Sequence, residues 1–480
     1  MRTLMSLAFV AILLPVGGAM AMILATNGKT DYAIVVAADA IAPELTAAKE
    51  LQSHLQAVTG AEFAIKTIAA GAAPTGVPPT KAVVVGPSAS FQAACPEVDL
   101  ASLGHDGIVI RTKGDTLYLA GGRPRGTLYA VYTFLEDVVG CRWWTAKESF
   151  IPRKPTLTVP DLNADRGDPT VYVPKLQYRE AFYRGAFEGV FAARSKCNGN
   201  FEGIAPEYGG HYRLIGWCHT FYQLLPPEKY FAQHPEWYSE INGKRTFEGA
   251  QLCLTNDEMR AELTKNALAA IRKDPDAGMI SIAQNDCGGQ CQCPKCKALE
   301  EQEGSPSGPV IDFVNKVAAD IEKEFPEVLV ETLAYSYTRH APKTVKPRNN
   351  VIVRLCSIEC SFSQPLGTGP QNETFKRDIE AWSALAPHLY IWDYVTNFAN
   401  YLIPHPNLRV LAPNIRFFVD HHALGLFEQG DAGSSCGDFV ELRAWLLSHL
   451  MWDPSRDEKA LIPSSSRATT ARRPSRCSST

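Results

Sequence analysis

The sequence predicts an α/β protein, a small α/β domain followed by a (β/α)8 TIM-like barrel. Three observations carry that expectation. At 480 residues the chain exceeds what one ordinary core accommodates. From about Val171 onward, strand-like apolar runs alternate with helical patterns, and eight such runs within roughly 290 residues match the size of a β/α barrel. One run, Met279-Ile280-Ser281-Ile282-Ala283, ends in Gln284-Asn285-Asp286 and then breaks into a Gly/Cys loop. Polar groups just past a barrel strand stand on the rim where barrel active sites sit.

Composition narrows the class. Apolar residues make up 45% and charged residues 20%, which suits a globular chain. The net charge of −4 becomes −9 once Arg2 and the four Arg of the last 18 residues are set aside. No basic patch points to nucleic acid. Residues 1–21, MRTLMSLAFVAILLPVGGAMA, read as a signal peptide: one basic residue, an apolar run from Leu4 to Val16, and Ala19 and Ala21 in an A-x-A arrangement. That run falls short of the roughly 20 residues a membrane span needs. The expected location is therefore periplasmic or extracellular, with no stable membrane span after cleavage. Thirteen cysteines in an exported chain make disulfides an expectation, with Cys477 left over.

The small domain is expected over residues 22–160. Tyr32–Val36, Glu62–Ile68, Lys81–Val85, Gly107–Arg111 and Thr116–Ala120 have strand character. Leu45, Ala48, Leu51, Leu55 and Val58 recur at helical spacing and stop at Gly60. GGRPRG at Gly121–Gly126 opens a helix over Thr127–Val138. Its glycine spacing fits neither the dinucleotide fingerprint nor the P-loop, so a tight strand-to-helix turn is expected and no cofactor. Pro155–Arg166 reads as the linker.

The barrel is expected over 161–462. Its strands fall at Lys175–Phe182, Tyr212–Trp217, Gln251–Leu254, Met279–Ala283, Leu329–Tyr335, Val351–Leu355, His388–Tyr394 and Gly425–Gln429. Helices are expected at Asp257–Lys273, Val310–Glu324, Glu373–Leu385 and Ala412–His421, with an amphipathic one at Asp438–Leu450. After Ile462 the text turns to Ser, Thr, Arg, Pro and Ala. A frameshifted end and a genuine disordered tail both account for residues 463–480.

Two resemblances become specific at this point. Gly114–Trp144, GDTLYLAGGRPRGTLYAVYTFLEDVVGCRWW, is similar to the small domain that precedes the barrel in α-glucuronidases and β-hexosaminidases. GWCHTF (Gly216–Phe221), HPEWYS (His234–Ser239), QLCLTN (Gln251–Asn256), the QNDC…CPKC stretch, YIWDY (Tyr390–Tyr394) and FEQGD (Phe427–Asp431) resemble the bacterial family catalogued as domain of unknown function 4838, related to those glycoside hydrolases. The resemblance implies a carbohydrate substrate. It makes Asp286 the proton donor, because related barrels carry the acid at the end of the fourth strand. Hexosaminidases have an Asp-Glu pair there, and this chain has Asn285-Asp286. Asp393 and Glu428 match, by strand order, the later carboxylates that serve as base or nucleophile in α-glucuronidases.

Chemistry agrees with that assignment. Glycosidic hydrolysis needs one protonated carboxyl and one ionised partner, separated by about 5–5.5 Å in retaining and about 6.5–9.5 Å in inverting enzymes. Arg179, Trp217, His219, Asn285, Tyr335 and Trp392 are expected to bind substrate, aromatic rings stacking on sugars and polar groups bonding hydroxyls. Glu359 either touches substrate or lies beside a Cys356–Cys360 disulfide. Cys287, Cys291, Cys293 and Cys296 admit three readings: disulfides, with partners such as Cys253, free thiols, or ligands of a structural metal. The expected function is glycosidic cleavage by an exported protein; the rival is a carbohydrate-binding protein using the same mouth without turnover.

Overall fold

The computed structural model describes residues 21–69, 81–162 and 171–462. The signal-like segment (residues 1–20) and the Ser/Arg-rich tail (463–480) lie outside the described residues. No helix among the described residues is long and apolar enough to cross a membrane.

The small domain begins with β1 (Met22–Ala25), followed by β2 (Ala33–Ala37), β3 (Ala64–Ile68), β4 (Ala82–Val85), β5 (Ile108–Lys113) and β6 (Thr116–Gly121). Part of the expected linker is a strand, β7 (Leu157–Val159), which pairs antiparallel with β1. Strand β8 (Val171–Tyr172), from beyond the expected linker start, joins the edge of the main sheet, whose order is β8-β5-β6-β4-β2-β3. Helix α1 (Ala42–Thr59) buries Ala47, Ala48, Leu51, Leu55 and Val58. The Glu44 carboxylate accepts the Ile41 N–H at 3.0 Å, and Gly60 closes the helix at φ 79°. The GGRPRG turn is a close-approach device: a Cβ on Gly122 would lie 1.8 Å from the Gly104 carbonyl oxygen. Beyond it, α2 (Gly126–Thr133) is buried from Gly126 to Tyr132. A helix apolar all round has to be enclosed: this one packs against α1, β5 and β6, and its Tyr129 ring meets Trp452 at 5.5 Å.

Among the described residues seven parallel strands, not eight, form the second sheet: β9 (Tyr178–Phe182), β10 (Leu214–Ile215), β11 (Met279–Ser281), β12 (Leu329–Ala334), β13 (Val351–Cys356), β14 (His388–Tyr394) and β15 (Ala423–Gln429). Their order is β9-β15-β14-β13-β12-β11-β10, a curled sheet and not a closed (β/α)8 ladder. The expected third strand, Gln251–Leu254, is absent, and β10 pairs directly with β11. Its backbone donors are spent elsewhere: Gln251 N–H on the Gly289 carbonyl at 3.1 Å and Cys253 N–H on the Trp237 carbonyl at 2.8 Å. Only Leu252 retains a bridge, antiparallel to Tyr238.

Between β9 and β10 the seam is filled by side-chain amides. Asn198 Oδ1 accepts the Arg179 N–H at 2.9 Å, and Asn200 Oδ1 accepts the Leu214 N–H at 2.8 Å. The Asn198 backbone bonds both Arg179 and Tyr212. The open strand edges thus keep their hydrogen bonds without a ladder.

Side chains alternate along these strands. Tyr178, Leu333, Ile352, Cys356, Tyr390, Trp392, Tyr394 and Phe427 share one cluster inside the curl. Val353, Leu355, Leu389, Ile391 and Leu426 face outward, toward the helices. Those helices are α3 (Gly189–Arg194), α4 (Asp257–Lys273), α5 (Pro294–Glu303), α6 (Ser307–Glu322), α7 (Glu373–Leu385), α8 (Leu408–Asp420) and α9 (Val440–Trp452). Asn256 caps α4, accepting the Met259 N–H at 2.9 Å. The amphipathic character expected near the C-terminus is not realised: α9 is buried from Arg443 through Trp452. It lies between the sheet and the small domain, where Trp445 meets Trp144 at 5.2 Å and Tyr172 donates to the Trp452 carbonyl at 2.6 Å.

Candidate active site

The loop after β11 presents Asp286 at the C-terminal end of the sheet. Its side chain is 67% exposed, and Tyr335 Oη donates to Oδ1 at 2.9 Å. His219 Nε2 stands 4.0 Å from the same oxygen. The other ring nitrogen, Nδ1, is 2.8 Å from the Gln284 carbonyl, which can only accept. Nδ1 therefore carries the proton and Nε2 faces the carboxylate. Trp217 and His219 both adopt left-handed backbone angles, φ 59° and 53°. Such conformations cost free energy and persist where surroundings enforce them.

An aromatic wall rises beside this group. Trp217 contacts Phe201 at 4.9 Å, Phe427 at 4.7 Å and Trp392 at 5.4 Å between ring centroids. Trp392 stacks on Tyr394, which stacks on Phe362. The Trp392 indole N–H donates to Gln429 Oε1 at 2.8 Å, fixing the ring. Below Trp217 lies Arg354, buried and paired with Glu331 at 2.8 Å. Burial and then Glu180 hold the Glu202 carboxyl well above its ordinary range. Burial also pushes Glu180 up to about 7, against hydrogen bonds from Tyr178 and the Asn200 and Phe201 N–H groups.

The structure thus gathers Asp286, Tyr335, His219, Trp217 and Trp392 at one mouth. Others of the expected set lie elsewhere. Arg179 is fully buried on the outer face, paired with Asp106 at 2.9 Å and donating to the Leu176 and Lys196 carbonyls. Burial pushes the Asp106 carboxyl up, yet Arg125 and Arg179 together outweigh it and leave it below its ordinary value. Asn285 is spent tying its loop to the 250–251 segment: its N–H donates to Gln251 Oε1 and its amide to the Ala250 carbonyl, both at 2.9 Å.

Asp393 and Glu428 are register partners on β14 and β15, at the same strand ends as the mouth. Each follows an inward aromatic, Trp392 and Phe427, so alternation turns both carboxyls to the opposite face. Ser357 Oγ and the Tyr394 N–H donate to Asp393 Oδ1 at 2.5 and 3.0 Å. Burial pushes Asp393 up to about 6. Burial, and then the charge of Asp393, hold Glu428 well above the usual carboxylate range.

Glu359 is 41% exposed and paired with Arg339 at 3.0 Å. No disulfide joins the described cysteines, Cys356 and Cys360 included. The Cys loop contributes three of its four thiols to a cluster. Cys291, Cys293 and Cys296 meet Cys253, all four sulfurs lying within 4.8 Å of one another. Cys287 points instead to the Ala250 carbonyl.

Sequence reasoning passed over Tyr394, Phe362 and Phe427 as members of the wall. The signal was present in YIWDY and FEQGD: once Trp392 is taken as inward, period two puts Tyr394 with it and Asp393 away.

The chain matches the family described as domain of unknown function (DUF4838) over residues 143–465. It belongs to that family. Residues 25–134 match the N-terminal domain of glycosyl hydrolase family 67. Two curated proteins named probable alpha-glucuronidase A, from Aspergillus oryzae and Aspergillus flavus, are each 31% identical over 91 residues, 19% of this chain and 10% of theirs. The chain thus spans about a tenth of the length of those relatives. A solved family GH115 4-O-methyl-alpha-glucuronidase with specificity for decorated arabinogalactans is 12% identical, with a TM-score of 0.50, covering 93% of this chain and 60% of that one. At that identity the likeness is one of fold.

Proposed function

We propose that this DUF4838 protein is an exported glycoside hydrolase that cleaves glycosidic bonds at the mouth of its curled sheet, with Asp286 as proton donor. The observation that carries the reading is Asp286 held by Tyr335 beside His219, next to a wall of Trp217, Trp392 and Tyr394. Stacked aromatic faces suit pyranose rings, and one carboxyl there meets the first requirement for acid-assisted cleavage. The hydrolase-type small domain and the GH115-like fold support the same class. For the second carboxyl we favour Glu359 over Asp393 and Glu428, because it is solvent-accessible while the other two are buried.

One observation favours a carbohydrate-binding protein without turnover: Arg339 holds Glu359 in an ion pair, and the other two candidates are buried. A hydrolysis screen on plant and bacterial polysaccharide fragments separates the readings. Wild type should release sugar, and Asp286→Asn should keep affinity while losing turnover by about 10²–10⁴-fold. Affinity without turnover in wild type would support the binding reading. Turnover unaffected in Asp286→Asn would remove Asp286 from the mechanism.

A further inference from the structure

We propose that Cys253, Cys291, Cys293 and Cys296 form a structural zinc site that fixes the loop carrying Asp286. The four thiols are buried and together make a cluster separate from the apolar cores. Cys253 Sγ lies 3.7 Å from Cys293 Sγ and 4.0 Å from Cys296 Sγ. A tetrahedral ion with Zn–S bonds of about 2.3 Å places its sulfurs about 3.8 Å apart. A disulfide would bring two of them to about 2.05 Å, and none of the four is so joined.

The surroundings are those of thiolates. The Glu240 N–H and the Arg245 guanidinium approach Cys291 Sγ at 3.3 and 3.7 Å. Thr255 Oγ1 is 3.2 Å from Cys296 Sγ. Cys293 is the N-cap of α5, with Cys296 in its first turn, where helix N–H groups favour negative charge. Binding one Zn²⁺ would release four thiol protons to solvent and leave a complex of charge −2, which Arg245 partly offsets.

The site also accounts for the missing third strand. Gln251–Leu254 leaves the sheet and delivers Cys253 to the three cysteines of the next loop. Gln251 in turn ties the Asp286 loop from beneath, its amide donating to the Cys287 carbonyl at 2.8 Å and its Oε1 accepting the Asn285 N–H at 2.9 Å. The ion would thus stand where a strand would otherwise hold the two loops together. This inference does not rest on the hydrolase reading.

The test is metal content of the full chain, purified without chelator. We expect about one zinc per chain, falling at least about tenfold in Cys253→Ser and in Cys293→Ser but not in Cys287→Ser. Thiol-specific alkylation of the folded protein should label these four cysteines only after zinc is stripped. Should the serine variants fail to fold, cobalt exchange into wild type decides instead. Intense tetrahedral cobalt–thiolate absorption supports the site, and its absence overturns it. The proposal also fails if the protein carries iron in place of zinc, if intact mass shows these cysteines oxidised to disulfides, or if Cys287→Ser loses zinc as Cys253→Ser does.

Discussion

At the scale of single residues, exposure separates the carboxylates that can meet a substrate from those that shape the protein. Asp286 stands in solvent with one phenol and one imidazole beside it, so Asp286→Asn should leave the melting temperature nearly unchanged while turnover collapses. Asp393 is the opposite case. Its folded value of about 6 lies above the ordinary 3.8, so the folded state binds the proton more tightly than the unfolded chain. The stabilisation is full below 3.8 and disappears as pH rises through about 6. Asn at this position keeps the oxygen that Ser357 and Tyr394 bond, without the ionisation. Asp393→Asn should therefore gain on wild type by about 3 kcal/mol between about pH 4 and 8. Chemical denaturation across that range checks it; a constant difference would show that burial does not raise Asp393.

At the scale of elements, most of the helices and strands were legible because apolar periodicity is a local property. Asp257–Lys273, Glu373–Leu385 and His388–Tyr394 fall where the pattern places them. Gln251–Leu254 has the composition of a strand but donates its backbone to loops far away in sequence, which no local pattern records. The seam between β9 and β10 is of the same kind. Two asparagines there act as lengths of backbone. Asn198→Ala would orphan the Arg179 N–H and remove the bonds from Asn198 Nδ2 to Asp106 and to the Gln177 carbonyl. We expect a loss of about 2–4 kcal/mol, read by thermal unfolding, and faster amide exchange along β9 than along β13.

At the scale of the whole molecule, the small domain and the curled sheet share a polar core as well as an apolar one. Glu136 of the small domain accepts from Lys196 at 3.1 Å and pairs with His449 at 2.6 Å, all three buried. Burial pushes the Glu136 carboxyl up, but Lys196 and His449 bring it well below its ordinary value. Glu136→Gln leaves Lys196 buried without its counter-charge, and should cost about 3–5 kcal/mol. Because α2 and α9 are enclosed by both units, calorimetry should show one unfolding transition in wild type; two well-separated transitions would contradict this. Taken alone, the sequence determined the α/β class with its strand–helix repeat, the position of Asp286 after a strand, and the family. Those depend on periodicity and short motifs, which lie within one stretch of chain. Tertiary structure alone decided that no strand forms at Gln251–Leu254, that Arg179 and Asp393 turn away from the mouth, and that Cys253 displaces Cys287 in the thiol cluster. Each of those is a choice of partner between distant segments, settled by which buried donors and charges must be satisfied together.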